Sequence, residues 1–146
     1  MDILKATTKQ LPEIARLFDL YRQFYDCEAD IELAKQYITD RFNNNDSTIF
    51  VADDNDQLQG FVQLYPTFCS VQAQPIFVLY DLYVAADNRN LGIGALLMNQ
   101  ASAHAREQGA ARLDLSTGTT NKAGQHLYEK LGYERDSEFY VYSLAL

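Results

Sequence analysis

The pattern of apolar and polar residues divides the chain into short segments that alternate between extended and helical periodicity. After a first extended stretch at 2–7, apolar side chains recur every three or four residues over two segments, which predicts two amphipathic helices. Their apolar positions are Leu11, Ile14, Ala15, Leu17, Phe18, Tyr21, Phe24 and Tyr25 in the first helix, and Leu33, Ala34, Tyr37, Ile38 and Phe42 in the second. Asp30 is placed to cap the second helix, and the polar run 43–46 ends it.

Shorter runs of β-branched and aromatic residues predict strands in the middle of the chain. Segments 48–52 and 58–65, separated by the polar turn 53–56, predict a β-hairpin. The stretch 66–75 is expected to be a loop or frayed strand ends. Segment 76–84 predicts a buried strand, and helical periodicity resumes at Ile93 and continues to a glycine cap at Gly109.

The last third of the chain predicts a strand at 111–117, a helix from Asn121 that ends at Gly132, and a final strand at 139–146. The predicted order is βααβββαβαβ, which is an α+β order. The order also allows one additional short strand at 133–135. Without repeats, linkers or low-complexity runs, and at 146 residues, the chain is expected to form a single domain.

Two glycines lie where the strand 76–84 gives way to a helix, in the run Arg89-Asn90-Leu91-Gly92-Ile93-Gly94. Glycine lets the main chain bend sharply and approach a ligand closely. The N–H groups of the first helical turn then favour an anion, and Arg89 adds a positive charge with bidentate geometry. The run predicts a phosphate or pyrophosphate site, and the alternative is a flexible turn before an ordinary amphipathic helix.

Three phosphate-binding patterns can be compared with this run. The P-loop requires Gly-x4-Gly-Lys-Ser/Thr, which the chain lacks. The dinucleotide fingerprint requires a third glycine, whereas the residue three places after Gly94 is Leu97. The remaining pattern, Arg/Gln-x-x-Gly-x-Gly/Ala, is matched by Arg89, Gly92 and Gly94. It resembles the coenzyme A pyrophosphate loop of the GNAT family of N-acetyltransferases.

A second stretch, 121–133, resembles the other motif of that family, which runs from an asparagine through a small residue and Leu-Tyr to a glycine-aromatic helix exit. Here these positions are Asn121, Leu127-Tyr128 and Gly132-Tyr133. One departure is Gly124, where the family usually has alanine, and a softer first helical turn is the expected consequence. The order and separation of the two motifs also match, so the resemblance covers nearly the whole chain.

The resemblance implies one N-acetyltransferase domain over 1–146 with the GNAT fold, a mixed central β-sheet with splayed middle strands flanked by helices. In that fold a bulge, near the positions matching 82–84, opens the sheet, and the pantetheine arm of acetyl-CoA pairs with the strand as an added strand would. The implied cofactor-binding residues are Leu82, Tyr83, Val84, Arg89, Asn90, Leu91, Gly92, Ile93, Gly94, Ala95, Asn121 and Tyr128.

The implied reaction is direct acetyl transfer to a primary amine, which raises two proton-transfer questions. Holding a lysine-like amine neutral at pH 7 costs about 4.6 kcal/mol, so a base is needed. Asp81 is the candidate, acting through water or with a pKa raised by burial; the alternative is a structural carboxylate. Tyr128 falls where the family places the acid that protonates the leaving thiolate, and its alternative role is core packing.

Acceptor binding is expected to involve the end of the first helix and the segment after the hairpin. The candidates are Tyr21, Tyr25, Asp26, Tyr65 and Phe68. Aromatic rings and carboxylates together suit an ammonium or alkylamine. An ordinary core helix with solvated acidic ends explains the first three residues equally well.

Composition limits the possible partners. The net charge of −8, from 12 basic and 20 acidic residues, argues against nucleic-acid and anionic-membrane binding. It fits a cationic acceptor, and a role in solubility alone explains it equally well. No apolar run of about 18 residues predicts a membrane span, and the N-terminus lacks the layout of a signal peptide. The two cysteines and two histidines show no metal-ligand spacing, so we expect no metal site and a reducing, cytoplasmic location.

The sequence therefore predicts a cytoplasmic, acetyl-CoA-dependent N-acetyltransferase acting on a primary amine of a small molecule, such as a polyamine, or of a protein lysine. The apolar residues of 139–146 and the habits of the family favour a homodimer. An alternative is a non-catalytic acyl-CoA-binding regulatory domain, which would keep Arg89, Gly92 and Gly94 but would not need Asp81 or Tyr128. A nucleotide-binding domain is a third interpretation.

Overall fold

The structure, a computed structural model, describes residues 1–146. Nine helices and strands follow one another as β1 (Asp2–Lys5), α1 (Leu11–Phe24), α2 (Ile31–Asn44), β2 (Thr48–Asp54), β3 (Gln57–Cys69), β4 (Gln74–Val84), α3 (Ile93–Glu107), β5 (Leu113–Asp114) and α4 (Lys122–Lys130). Short 3₁₀ turns at Thr8–Gln10 and Ala86–Asn88 precede α1 and α3. The chain divides into two units, Met1–Ser116 and Thr117–Leu146. None of the helices has the length and hydropathy needed to cross a bilayer.

The first unit is built on a five-stranded mixed sheet of order β1-β2-β3-β4-β5. The first four strands pair antiparallel, and β5 runs parallel to β4. Helices α1 and α2 pack on one face, where Phe61 of β3 joins the core formed with Ile14, Leu17 and Ile38. Helix α3 packs on the other face, where Leu97 of α3 lies directly over Gly60 of β3.

The stretch 66–75 is strand rather than loop. Strands β3 and β4 continue outward together until Cys69 pairs with Gln74. The residues between them form a tight turn in which Ala73 has a positive φ of 53°. Side chains near this tip are exposed, so the hydrophobic pattern that marks a half-buried strand is missing there, and that is why the sequence does not reveal it.

Strand β4 carries a bulge at Tyr80. Gln63 pairs with Asp81 and Leu64 with Leu79, which leaves Tyr80 as the extra residue. The bulge therefore lies just before the predicted position near 82–84. It changes the phase of the strand, since Phe77 contacts His104 of α3 whereas Asp81 contacts Gln63 and lies on the α1 face.

Two strand predictions are wrong in extent or existence. The strand predicted at 111–117 is reduced to the two residues of β5. The final strand predicted at 139–146 is absent, and the additional short strand at 133–135 does not form either, because the sheet takes no strand from the second unit. Alternating apolar residues do not make a strand without a neighbouring strand to bond, and Phe139, Val141 and Leu144 are exposed.

The second unit is organised by α4. The Asn121 side chain caps this helix by accepting a hydrogen bond from the Gly124 N–H at 3.1 Å, and it donates to the Thr117 hydroxyl at 3.0 Å. A Cβ at position 124 would lie 2.5 Å from the Asn121 amide nitrogen, so this arrangement of the cap itself explains glycine there. Gly132, with φ of +95°, ends the helix as predicted.

Candidate active site

One edge of β4 has no pairing strand over most of its length. The contact with β5 is limited to two pairs, Phe77 with Leu113 and Val78 with Asp114. Beyond them, the side of β4 that faces away from β3 is unpaired from Leu79 to Val84, and we call it the open edge. The sheet therefore separates here, as the predicted splaying of the middle strands requires.

The main-chain groups that point to the open edge can be identified. The Ala85 N–H donates to the Gln59 carbonyl of β3 at 2.8 Å, so the Val84 carbonyl of the same peptide points the opposite way. Because successive residues of a strand alternate, the main-chain groups of Leu82 also face the open edge, whereas those of Tyr83 face β3. Of the three residues predicted to bind through the main chain, Leu82 and Val84 are thus oriented for it.

The glycine run connects the open edge to the N-terminus of α3. Gly92 caps this helix with φ of +80°, a left-handed conformation that favours glycine, and Asn90 also has a positive φ of 67°. No side chain caps the helix and its first turn has no acidic residue. The first-turn N–H groups are therefore available to an anion.

Arg89 ties this loop to the strand. Its Nε donates to the Val84 carbonyl at 3.0 Å, and its guanidinium lies 5.4 Å from the centre of the Tyr83 ring. The side chain is exposed, so its remaining N–H groups can bind a ligand. A positive charge is thereby fixed between the open edge and the helix N-terminus.

Asp81 is buried beside this edge, with 3% of its surface exposed. Its Oδ2 accepts a hydrogen bond from Gln63 Nε2 at 2.5 Å. Burial raises the pKa of Asp81 from 3.8 to about 6, and hydrogen bonds from Gln63 and Tyr21 act against that rise. The expectation of a pKa raised by burial is met in this structure, and at pH 7 the carboxyl is mostly ionised.

Four tyrosines, which we call the tyrosine cluster, surround Asp81: Tyr21, Tyr25, Tyr65 and Tyr80. The Tyr21 hydroxyl donates to the Tyr80 carbonyl at 3.0 Å, and ring centres lie 5.2 Å apart for Tyr21 and Tyr25 and 5.8 Å apart for Tyr65 and Tyr80. Burial raises the pKa values of Tyr21, Tyr25 and Tyr65, and the Asp81 charge raises them further. With raised pKa values, Tyr21, Tyr25 and Tyr65 remain neutral hydroxyls near one carboxylate.

The other predicted acceptor residues lie differently. Asp26 follows α1 directly, exposed and with a positive φ of 65°. Phe68 is 77% exposed near the β3–β4 turn, about 17 Å further along the strand than Gln63. The structure therefore brings Tyr21, Tyr25 and Tyr65 to Asp81 but does not bring Phe68 there.

The second unit holds the remaining predicted residues, Asn121 and Tyr128. Asn121 is committed to the helix cap described above. Tyr128 lies in α4, half-buried, with its ring centre 6.3 Å from that of Tyr133, and its carbonyl accepts from the Tyr133 N–H at 3.0 Å. Both of these contacts, one between rings and one along the main chain, lie within the second unit.

Several residues of the site escaped sequence analysis. Gln63, which is buried, bonds to Asp81 and to the half-buried Ser47. Tyr37 shares a 2.5 Å hydroxyl contact with Tyr65. Gly60 lets β3 and β4 approach, since a Cβ there would lie 2.7 Å from the Tyr83 carbonyl oxygen. A polar residue in an otherwise apolar strand, as at Gln63, is the one signal that could have been followed.

Comparisons with known proteins agree with this geometry. The model of the acetyltransferase (GNAT) family matches residues 14–133. A Bacillus subtilis (strain 168) protein named uncharacterized N-acetyltransferase YhfO is 40% identical over 99% of this chain and 97% of its own length. A Haemophilus influenzae probable acetyltransferase is 32% identical over 69% of this chain and 70% of its own length.

Among solved structures, a crystal structure of a probable acetyltransferase superposes with a TM-score of 0.93 and 36% identity, covering 100% of this chain and 98% of that one. The fold and the strand-loop-helix site thus define an acyltransferase of mixed α and β structure. The chain belongs to the GNAT family and is an enzyme of the N-acetyltransferase class.

Proposed function

We propose that this enzyme transfers the acetyl group of acetyl-CoA to a primary amine. The observation that carries the proposal is the juxtaposition, in one unit, of the open edge of β4, the uncapped N-terminus of α3 and the buried carboxyl of Asp81. The first two suit a long donor with a diphosphate and an amide-containing arm. The third suits removal of a proton from the acceptor.

The residues present fit coenzyme A. Arg89 and the N–H groups of 91–95 would hold the diphosphate, because a left-handed glycine and a helix without a cap leave those groups available. The Leu82 carbonyl and the Val84 N–H would bond the pantetheine amides, while the Val84 carbonyl is already bonded to Arg89. Asn121 belongs to the same proposed set through the family motif. Acetyl-CoA supplies the activated acyl group.

Asp81 is the proposed base. Moving a proton from an ammonium of pKa about 10.4 to an ordinary aspartate costs about 9 kcal/mol, and to a carboxyl of pKa about 6 it costs about 6 kcal/mol. Burial therefore improves the base by about 3 kcal/mol. It leaves the carboxyl ionised at pH 7, which a base requires.

Two further groups are proposed to stabilise the negative charge that develops on the attacked carbonyl oxygen and on the leaving sulfur. The Leu82 N–H at the open edge would stabilise negative charge on the carbonyl oxygen under attack. Tyr128 is the proposed acid, since a phenol of pKa about 10 stays protonated at pH 7 and can donate to a sulfur whose thiol pKa is about 8.5.

The acceptor is proposed to be an alkylamine that enters among the tyrosine cluster as an ammonium ion. Aromatic faces attract cations, and the Asp81 carboxylate adds a negative charge at the centre of the cluster. The net charge of −8 favours the approach of a cation over a distance. Polyamines, amino acids and protein lysines all carry this group.

A homodimer and a cytoplasmic location are also proposed, as the sequence predicts. The exposed apolar residues Phe139, Val141 and Leu144 support the dimer, because large apolar side chains exposed together mark contact surfaces. Sedimentation of the full chain over a range of concentrations tests it. A chain that remains monomeric throughout that range contradicts the dimer.

The test of function is thiol release from acetyl-CoA across a panel of amines. Wild type should acetylate at least one amine, Asp81→Asn should lower turnover about 10²- to 10⁴-fold, and Arg89→Ala should chiefly weaken acetyl-CoA binding. Arg16→Ala, which removes an exposed α1 pair with Glu13, is the control expected to behave as wild type. Acetyl-CoA binding without turnover on any amine favours the regulatory domain, and equal competition by ATP favours the nucleotide-binding domain.

A further inference from the structure

The side chain behind Asp81 is a glutamine with no exposed surface. Gln63 lies opposite Asp81 in the β3–β4 register, and its relative exposure is 0%. Burying an amide is costly unless its polar atoms are bonded, and an apolar residue would fill the same volume at no such cost. The presence of an amide here therefore calls for a reason other than packing.

Both ends of the Gln63 amide are used, and each has a different partner. Its Nε2 donates to Asp81 Oδ2 at 2.5 Å, and its Oε1 accepts from the Ser47 hydroxyl at 2.7 Å. An amide can turn over and present either end, but an ionised carboxylate can only accept. The carboxylate therefore selects the N–H₂ end, and the Ser47 hydroxyl bonds to the Oε1 end that faces away from Asp81.

We propose that Gln63 and Ser47 are positioning residues for the reaction, Gln63 by holding the Asp81 carboxyl in one orientation and Ser47 by holding the other end of the Gln63 amide. This inference rests on the proposed role of Asp81 as base. Gln63 bonds Oδ2 of the carboxyl, and Tyr21 also bonds to the carboxyl, so the acceptor would approach a group that is already held in place. Without the donor, the carboxyl would lose both its fixed rotamer and the bond that favours its ionised form.

Few titratable groups on the helix and strand that pack against Asp81 influence its pKa. Tyr21 and Tyr25 come from α1, Tyr65 comes from β3, and their pKa values are raised, so they stay uncharged across the range of the test. Burial is the largest influence on the pKa of Asp81, followed by the hydrogen bonds from Gln63 and Tyr21. A change in the titration of Asp81 on substitution of Gln63 thus reports their mutual hydrogen bond.

The first measurement does not depend on activity. The free energy of unfolding is measured from pH 4 to 9 for each protein and for its Asp81→Asn counterpart. Their difference grows above the unfolded pKa and levels off at the pKa of Asp81 in the folded state, which is the midpoint of its titration there. The midpoint lies near 6 in wild type. In Gln63→Met it should rise by about one to two pH units, because a hydrogen bond to the charged carboxyl is lost.

The second measurement is the acid limb of kcat/KM against pH, which should move by the same amount. With a shift of about 1.5 units, roughly a quarter of the carboxyl is ionised at pH 7, and activity should recover above pH 9. A residue that only packs would lower activity equally at every pH. Gln63→Glu keeps the shape of the side chain and places a second carboxyl beside that of Asp81, which should also raise the midpoint. This variant continues the test if Gln63→Met does not fold.

Matched controls separate the hydrogen-bonded chain from general damage. Gln59→Met removes another buried glutamine of β3, one bonded to the Gln57 carbonyl and to Asn88, and should leave the midpoint unchanged. Ser47→Ala should raise the midpoint by less than Gln63→Met does, and Ser47→Thr, which keeps the hydroxyl, should restore it.

The outcomes are distinct. Midpoints that stay near 6 in both Gln63 variants overturn the inference, even in an active enzyme. Midpoints that move in a protein that acetylates no amine support the assigned hydrogen bonds while the proposed function fails.

Discussion

Replacing Asp81 by asparagine is expected to make the protein more stable at neutral pH although it removes the proposed base. The aspartate carboxyl is almost completely buried, and no cation neutralises it. Asparagine has nearly the same shape, and its amide oxygen can still accept the hydrogen bond from Gln63. The substitution therefore removes the cost of burying a charge without creating a cavity.

The magnitude follows from the pKa of this carboxyl in the folded and unfolded chain. Its folded value is raised to about 6 from 3.8, so the folded state prefers the protonated form. The contribution of Asp81 to stability is fully present below pH 3.8 and is lost as pH rises through 6. A pKa difference of about two units corresponds to about 3 kcal/mol in the free energy of unfolding at pH 8. For a chain of this size, each kcal/mol changes Tm by about 2–4 °C.

The assay is chemical denaturation of wild type and Asp81→Asn at intervals between pH 4 and 8.5. The two curves should lie close together at pH 4 and separate between pH 4 and 6, with the variant about 3 kcal/mol more stable at pH 8. Asp19→Asn is the matched control. Asp19 is also buried, but it accepts from the Asp30 N–H at 2.9 Å and from the Gln23 amide, so its replacement should destabilise the protein.

Two results would refute the reasoning. One is a variant less stable than wild type at pH 8, which would mean that the carboxylate is stabilised in the folded state. The other is a constant difference between the two proteins from pH 4 to 8.5, which would mean that Asp81 does not titrate differently on folding.

Three other substitutions test separate parts of the site. Gly92→Ala should weaken acetyl-CoA binding about tenfold, and Gly109→Ala, at the other end of α3 with nearly the same positive φ and equally open space, is its control. The control should cost the same stability without affecting binding. Calorimetric titration compares the two variants, and equal affinities for acetyl-CoA would contradict the role of the loop. Tyr128→Phe should lower the acetylation rate about 10- to 1000-fold, and wild-type turnover in this variant would contradict the assignment of Tyr128 as the acid. Gly60→Ala should destabilise by about 1–3 kcal/mol because its Cβ meets a main-chain carbonyl of β4, and Gly118→Ala, which meets nothing, should not; a thermal melt that ranks them otherwise contradicts the close approach.

The elements that bury a regular apolar stripe were the ones that sequence could predict. Helices α1, α2 and α3 lie where helical periodicity and the caps at Asp30 and Gly109 placed them. Local chemistry is enough at these points, since a capping carboxylate or a left-handed glycine acts within one turn. The family motifs then identified the fold as a whole.

The parts that sequence could not predict depend on contacts between distant segments. The extension of β3 and β4 to Cys69 and Gln74 is a pairing of exposed residues, which leaves no apolar pattern. The last predicted strand has the pattern but no partner in the sheet. Burial of Gln63 beside Asp81 depends on the register of two strands, which no local signal specifies.

The bulge at Tyr80 affects how relatives of this enzyme should be compared. In a strand of the same length without the extra residue, position 81 would lie on the same face as Phe77, and a carboxylate there would point at α3 instead of at the tyrosine cluster. Such a strand would need its acidic residue at position 80 to serve the same chemistry. An aligned column of sequences is therefore no guide to equivalent bases in this fold until the irregularity of each strand has been located.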